Sequence, residues 1–289
     1  MKRRLGVFAV VSPLCLALAG CGGGGAVEES QAAGAAAEPS APKVAAKEQA
    51  PAPTTPADFL DLADQAMAAR PGWTFAVKGD ENLTLQGQVS GASYEATVSR
   101  TGKPAALRSQ GVITSSKGVR KAEKVFVVGG STYVKEGTAA WKKAPSTDPA
   151  MENKVEDAVA AIGAYRTYLK AGNDDVTVVK KGSSVELQVR LSTRKLTDIQ
   201  DRPYVKTAVR ELDPVLTQLQ GAGVTTSKSQ ITLSRLTETL ALDAKSGRIN
   251  AHRLAFTFLI PYNGGNITYQ QSVGEENRGV FNGSITAPF

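Results

Sequence analysis

Few side chains in this 289-residue sequence could perform covalent or proton-transfer chemistry: a single histidine, His252, and two cysteines, Cys15 and Cys21. A Ser-His-Asp or Cys-His centre would have to be built on His252, and no Gly-x-Ser-x-Gly turn is present to supply a serine nucleophile. His252 precedes Arg253 just after a turn, at the head of an apolar strand, where a surface or edge histidine is expected. One histidine without free cysteines argues against zinc. Asp174-Asp175 and Asp198-Ile199-Gln200-Asp201 lack the further oxygen ligands that calcium takes at loop spacing. No Gly-x-x-x-x-Gly-Lys-Ser/Thr phosphate loop occurs, and Gly129-Gly130-Ser131 leads from one strand into another instead of into a helix. Paired carboxylates remain the one hydrolytic chemistry open to these residues, but Trp73 and Trp141 are the only tryptophans available as sugar platforms. The expectation is a protein that binds, with no catalytic residue, metal or cofactor.

The amino terminus carries a different chemistry. Lys2, Arg3 and Arg4 precede an apolar run from Leu5 to Ala19, too short to span a bilayer comfortably and laid out as a secretory signal. The run ends in Leu18-Ala19-Gly20-Cys21, which resembles the lipobox of bacterial lipoproteins. That resemblance implies cleavage after residue 20, acylation of Cys21 with a fatty acid such as palmitate, and anchorage on the extracytoplasmic face of the cell membrane.

From Cys21 to Pro56 the chain is dominated by Gly, Ala, Glu, Pro, Ser and Thr, with no aromatic residue and almost no large aliphatic one, so it is expected to stay a disordered tether. Residues 57–289 are then the single globular domain, long enough for one sizeable core. Losing Lys2, Arg3 and Arg4 takes the formal charge from +7 to +4. The tether's four glutamates against two lysines leave the folded part near +6. A basic domain at a membrane is drawn to anionic headgroups, while an exported address speaks against nucleic acid.

Periodicity predicts a helix over 58–69, N-capped by Asp58, with Phe59, Leu62, Ala63, Ala66 and Met67 on one face. Period two follows from Trp73 to Trp141, with short turns expected at Gly91, Gly102, Gly118 and Gly129-Gly130. A second helix is predicted over 149–170 and a third over 202–220, which Pro214 should kink or split. Strands are predicted at 176–179, 185–191, 224–233, 236–243, 249–260, 266–274 and 279–285. Short connections between strands indicate an antiparallel meander, and the interspersed helices make the class α+β.

Ser131-Thr132-Tyr133-Val134-Lys135-Glu136-Gly137 followed by Trp141-Lys142-Lys143 resembles a hairpin of the LppX and LprG lipoproteins within the LolA-like superfamily. Leu240-Ala241-Leu242-Asp243, closed by Gly247, resembles a second recurrent element of that group. The resemblance implies a strongly curved antiparallel sheet, a half-open β-barrel, wrapping a few helices, with acyl chains lying between sheet and helices. Leu83 and Leu85, Leu187 and Val189, and Leu254, Phe256 and Phe258 are spaced by two, so each set faces one side of its strand and could line such a space. The leading expectation is a lipid or other hydrophobic ligand. The competing ones are a protein-interaction or envelope-sensor module with a packed interior, and an envelope hydrolase. On cell fractionation, Cys21→Ala is expected to leave the membrane fraction; if it stays there, the anchor reading is wrong.

Overall fold

Alternating apolar side chains build the strands of the computed structural model, which describes residues 52–289 apart from 153, 173 and 174. The signal, Cys21, the tether through Pro51 and Asp174 lie outside the described residues. The elements in chain order are α1 (Pro56–Ala68), β1 (Gly72–Leu85), β2 (Gln88–Gly102), β3 (Ala105–Ser115), β4 (Arg120–Val128), β5 (Ser131–Glu136), β6 (Lys142–Pro145), α2 (Ala160–Lys170), β7 (Val176–Lys181), β8 (Ser184–Leu191), β9 (Arg194–Lys195), α3 (Pro203–Gly221), β10 (Thr232–Asp243), β11 (Ile249–Tyr262) and β12 (Gly265–Val280). They belong to one compact unit, Pro53–Phe289.

Among the described residues the twelve strands form one curved, open antiparallel sheet in the order β6-β5-β4-β3-β2-β1-β12-β11-β10-β8-β7, with β9 paired to β10. Chain neighbours lie side by side almost throughout, as short hairpin connections require. The first and last strands of the two meanders, β1 and β12, meet at the centre. Helices α1, α2 and α3 cover one face, the inner face, over β12, β11, β10, β8 and β7. There Phe59, Leu60, Tyr165, Tyr204 and Leu212 of the helices share a core with Phe75, Leu187, Leu240, Phe256 and Phe258 of the sheet. Each such large side chain taken out of water contributes about 1.5–3 kcal/mol.

Several expected boundaries move, each for a local reason. Thr55, not Asp58, caps α1: the Thr55 hydroxyl accepts from the Asp58 amide at 3.2 Å, and Asp58 Oδ2 accepts from the Thr55 amide at 2.9 Å. The amides of Thr55 and Thr54 hold the Asp58 carboxyl below its ordinary range. The predicted helix over 149–170 begins only at Ala160. The stretch before it crosses the inner face instead, where Asp157 pairs with Arg100 of β2 and Val155 packs near Val77 and Val98. The first hairpin turns at Gln86-Gly87, both with positive φ, whereas Gly91 lies inside β2. Residues 224–231 are not strand: Ser227 and Gln230 cap a single 3-10 turn there, and β10 begins at Thr232. The segments 266–274 and 279–280 form one strand, β12, which ends at Val280 instead of reaching 285. Pro214 does not split α3; it is exposed, so water can reach the Arg210 carbonyl that the proline leaves without an amide.

The β10–β11 turn docks on α1. Asp243 Oδ1 accepts from the Ser246 hydroxyl at 2.7 Å and from the Ser246 amide at 2.8 Å. Gly247 has φ +73°, and a Cβ there would lie 2.4 Å from Leu62 Cγ and 2.8 Å from the Leu62 carbonyl oxygen. Gly247→Ala therefore combines backbone strain with a clash against helix backbone. It is expected to lower stability by about 1–3 kcal/mol, read as a lower urea midpoint at unchanged m-value.

Candidate functional site

The helices cover only part of the inner face, and the polar side chains of that face concentrate where the cover ends. Register decides their placement. His252 of β11 stands directly opposite Glu275 of β12 and Leu240 of β10, and Glu238 of β10 is one inward position further along. The His252 ring donates from Nδ1 to Glu275 Oε2 at 2.7 Å and from Nε2 to Glu238 Oε1 at 3.0 Å. Tyr168 of α2 donates its hydroxyl to Glu238 Oε2 at 3.0 Å. All four side chains are buried.

His252 is thus no surface or edge histidine. Burial by itself would lower its pKa, but hydrogen bonds and charge from Glu238 and Glu275 prevail and raise it to about 10. At neutral pH it is an imidazolium between two carboxylates, with both ring nitrogens engaged. A signal for this existed in the sequence. His252 shares strand parity with Leu254, Phe256 and Phe258, and Glu238 shares it with Leu236 and Leu240. A charged residue on an inward position has to find a partner.

Beside this triad the inner face opens into a depression of about 240 Å³ between β1–β4, β12 and the crossing segment, lined by Glu81, Tyr94, Glu123, Lys154, Glu156 and Gln271 among others. Tyr94 packs closely over glycine in its wall. A Cβ on Gly111 would lie 2.6 Å from Ala96 Cβ and 2.9 Å from the Tyr94 ring. Tyr94 is fixed by a 2.7 Å hydrogen bond to Ser109 Oγ. Burial raises the carboxyls of Glu81 and Glu123, the latter against the opposing charge of Lys154. Glu156 rises to about 7, through burial first and then the charge of Glu275, with His252 opposing. Glu275 Oε1 is buried without a hydrogen-bond partner. Glu156 can therefore exchange a proton near neutrality, and the depression as a whole suits a cationic group.

The seven apolar candidates separate. Leu187, Val189, Phe256 and Phe258 are at most 2% exposed and interlock with the helices in one core, while Leu83, Leu85 and Leu254 pack partly exposed against its margin. None of the seven lines the depression. Of the acidic pairs, Asp175 accepts from the Tyr204 hydroxyl at 2.8 Å, and Asp198 and Asp201 lie exposed before α3.

Fold and site together define an open-barrel-like α+β scaffold with a filled half and an uncovered half. No protein-family model matches the chain, and no curated protein matches it. Among solved structures it is similar to a β-barrel-like protein of the domain of unknown function DUF1849 from Brucella abortus, at 8% identity over 72% of this chain and 96% of that one, with a TM-score of 0.23. It is also similar to the Pseudomonas aeruginosa MucA/MucB complex, at 14% identity over 80% of this chain and 58% of that one, TM-score 0.24. A DUF1329 family protein from Desulfovibrio piger matches at 8% identity over 78% and 94%, TM-score 0.28.

The triad ties stability to pH. His252 has a pKa of about 10 in the folded protein, against an ordinary 6.5. Its contribution is therefore complete below 6.5 and disappears as pH rises through 10. Glu156, raised to about 7 from 4.5, adds a loss between those values. Urea unfolding from pH 6 to 10 is expected to show falling stability, with the slope flattened in His252→Gln. His252→Ala should cost about 3–5 kcal/mol at pH 7, because two buried carboxylates lose their cation.

Proposed function

We propose that this protein is a non-catalytic binding module, anchored through a lipidated Cys21 to the extracytoplasmic face of a cell membrane, and that a partner protein docks in the uncovered half of its inner face. The contrast between the two halves is the observation that supports this reading. Under the helices the side chains interlock. In the other half a depression lined by Glu81, Glu123 and Glu156, with Lys154 as its one basic side chain, stays open. Its volume is below the roughly 300–1,000 Å³ of sites that enclose small-molecule ligands, and it suits a single basic side chain presented by a larger partner. Catalysis is disfavoured because His252 has both nitrogens committed and is charged, so it cannot serve as a base. The Tyr133-Val134-Lys135 strand, Trp141 and the lipobox favour grouping with the LppX and LprG lipoproteins of the LolA-like superfamily.

A hydrophobic cargo between sheet and helices is the second reading, favoured by Leu83 and Leu85, which remain partly exposed at the margin of the core. Such a cargo has to displace the packing of Leu187, Val189, Phe256 and Phe258.

Crosslinking in intact cells, paired with native mass spectrometry of the purified protein, separates the two. A discrete crosslinked partner is expected, with its yield reduced at least tenfold in Glu123→Gln/Glu156→Gln. That variant should melt at the same or a higher temperature at pH 8, where an ionised Glu156 opposes folding. A stoichiometric lipid carried by the protein, with crosslinking unchanged in the variant, would instead establish the cargo reading.

A further inference from the structure

The outer face of the sheet at its β3–β6 end carries an arrangement that neither the core nor the inner-face depression uses. The β2–β3, β3–β4 and β4–β5 ladders run without a register shift, so parity assigns Arg108, Arg120, Lys124, Lys135 and Lys143 to the outer face, and no acidic side chain of these four strands shares it. None of the five forms an ion pair among the described residues, while Glu95 on β2 is paired with Lys78. Lys124 and Lys135 stand directly opposite each other, a like-charge pairing that opposes folding unless an anion lies over it.

Aromatic rings sit among these cations. Phe126 and Trp141 meet edge-to-face at 5.6 Å, and Phe289 meets Tyr133 at 5.4 Å and Trp141 at 6.5 Å. Lys135 lies 5.9 Å above the Trp141 ring and Lys143 5.3 Å above that of Tyr133. Phe289 is 70% exposed, the most exposed large apolar side chain among the described residues.

We infer that this face lies on an anionic lipid bilayer, with Lys124, Lys135 and Lys143 among the phosphates and Phe289 and Trp141 at headgroup depth. The occupant follows from the chemistry. Cations spread over four strands, about 15 Å across, match a plane of phosphates better than a single anion. Aromatics mixed with lysines are what the membrane–water boundary favours. The rings pack edge-to-face on one another beneath lysines and offer no open platform for stacked bases. The overall basic charge of the domain thus acquires a direction: the surface turned to the lipid is the outer one, and the inner-face depression points away from it. This inference rests on neither the lipid anchor nor the partner reading.

The test uses the compact unit Pro53–Phe289, which contains the whole described core, with vesicles of pure phosphatidylcholine or of phosphatidylcholine mixed with phosphatidylglycerol. Sedimentation only with the phosphatidylglycerol vesicles is expected, with loss of binding as sodium chloride rises and a blue shift of Trp141 emission above the constant background of buried Trp73. Near an anionic leaflet each basic residue is worth about fivefold in affinity. Lys124→Gln/Lys135→Gln/Lys143→Gln should therefore bind about 100-fold more weakly, while its melting temperature stays level or rises as the Lys124–Lys135 repulsion is removed. Phe289→Ser should retain salt-sensitive binding but reduce the fluorescence shift. Equal binding to both vesicles, or undiminished binding by the triple variant, would overturn the inference. So would displacement by millimolar inorganic phosphate, or equally tight binding to duplex DNA.

Discussion

A buried imidazolium held between two carboxylates fixes the centre of this structure. His252 joins β11 to β12 through Glu275 and to β10 through Glu238, and Tyr168 brings α2 to the same point. Moving any of these strands by one residue would turn its charged member to the opposite face and leave the others buried without a counter-charge. The triad consequently specifies register where the sheet is most buried. It also marks the border between two environments. On one side the helices close over Leu187, Phe256 and Phe258; on the other the same face carries Glu81, Glu123 and Glu156 around open space.

That division follows from area. Three helices cannot cover a twelve-stranded open sheet, and the chain deals with the excess by two means. The segment between β6 and α2 crosses the inner face, held by Asp157 on Arg100 and by Val155. The residues after β12 return along the outer face, with Phe281 bonded to Gly72 through its amide, Ile285 buried and Phe289 against Tyr133 and Trp141. The surfaces still open are the acidic depression inside and the basic, aromatic face outside. Opposite chemistry on opposite faces is what a module needs in order to meet two different surroundings at once.

The strands were largely legible in the sequence because one-sided burial imposes period two, as in Leu254-Phe256-Phe258. Helix faces were legible for the same reason at period 3.6. Boundaries were less so where tertiary contacts outweighed local pattern. The Arg100–Asp157 pair draws the residues before Ala160 out of the expected helix, and the Ser227–Gln230 cap draws 224–231 out of the expected strand. The site was legible only in part. Parity put Leu187, Val189, Phe256 and Phe258 on one face, but parity is the same for a lining and for a core. The triad went unread because its members lie on three strands, and only pairing in space shows that Glu238 and Glu275 share one histidine.

Nitrogen-15 NMR of the imidazole reads the charge state of His252 directly, since the chain holds a single histidine and its signals need no assignment. Both ring nitrogens of His252 are expected to stay protonated from pH 6 to pH 9, with titration only near 10. Deprotonation with an ordinary midpoint near 6.5 would contradict the buried imidazolium.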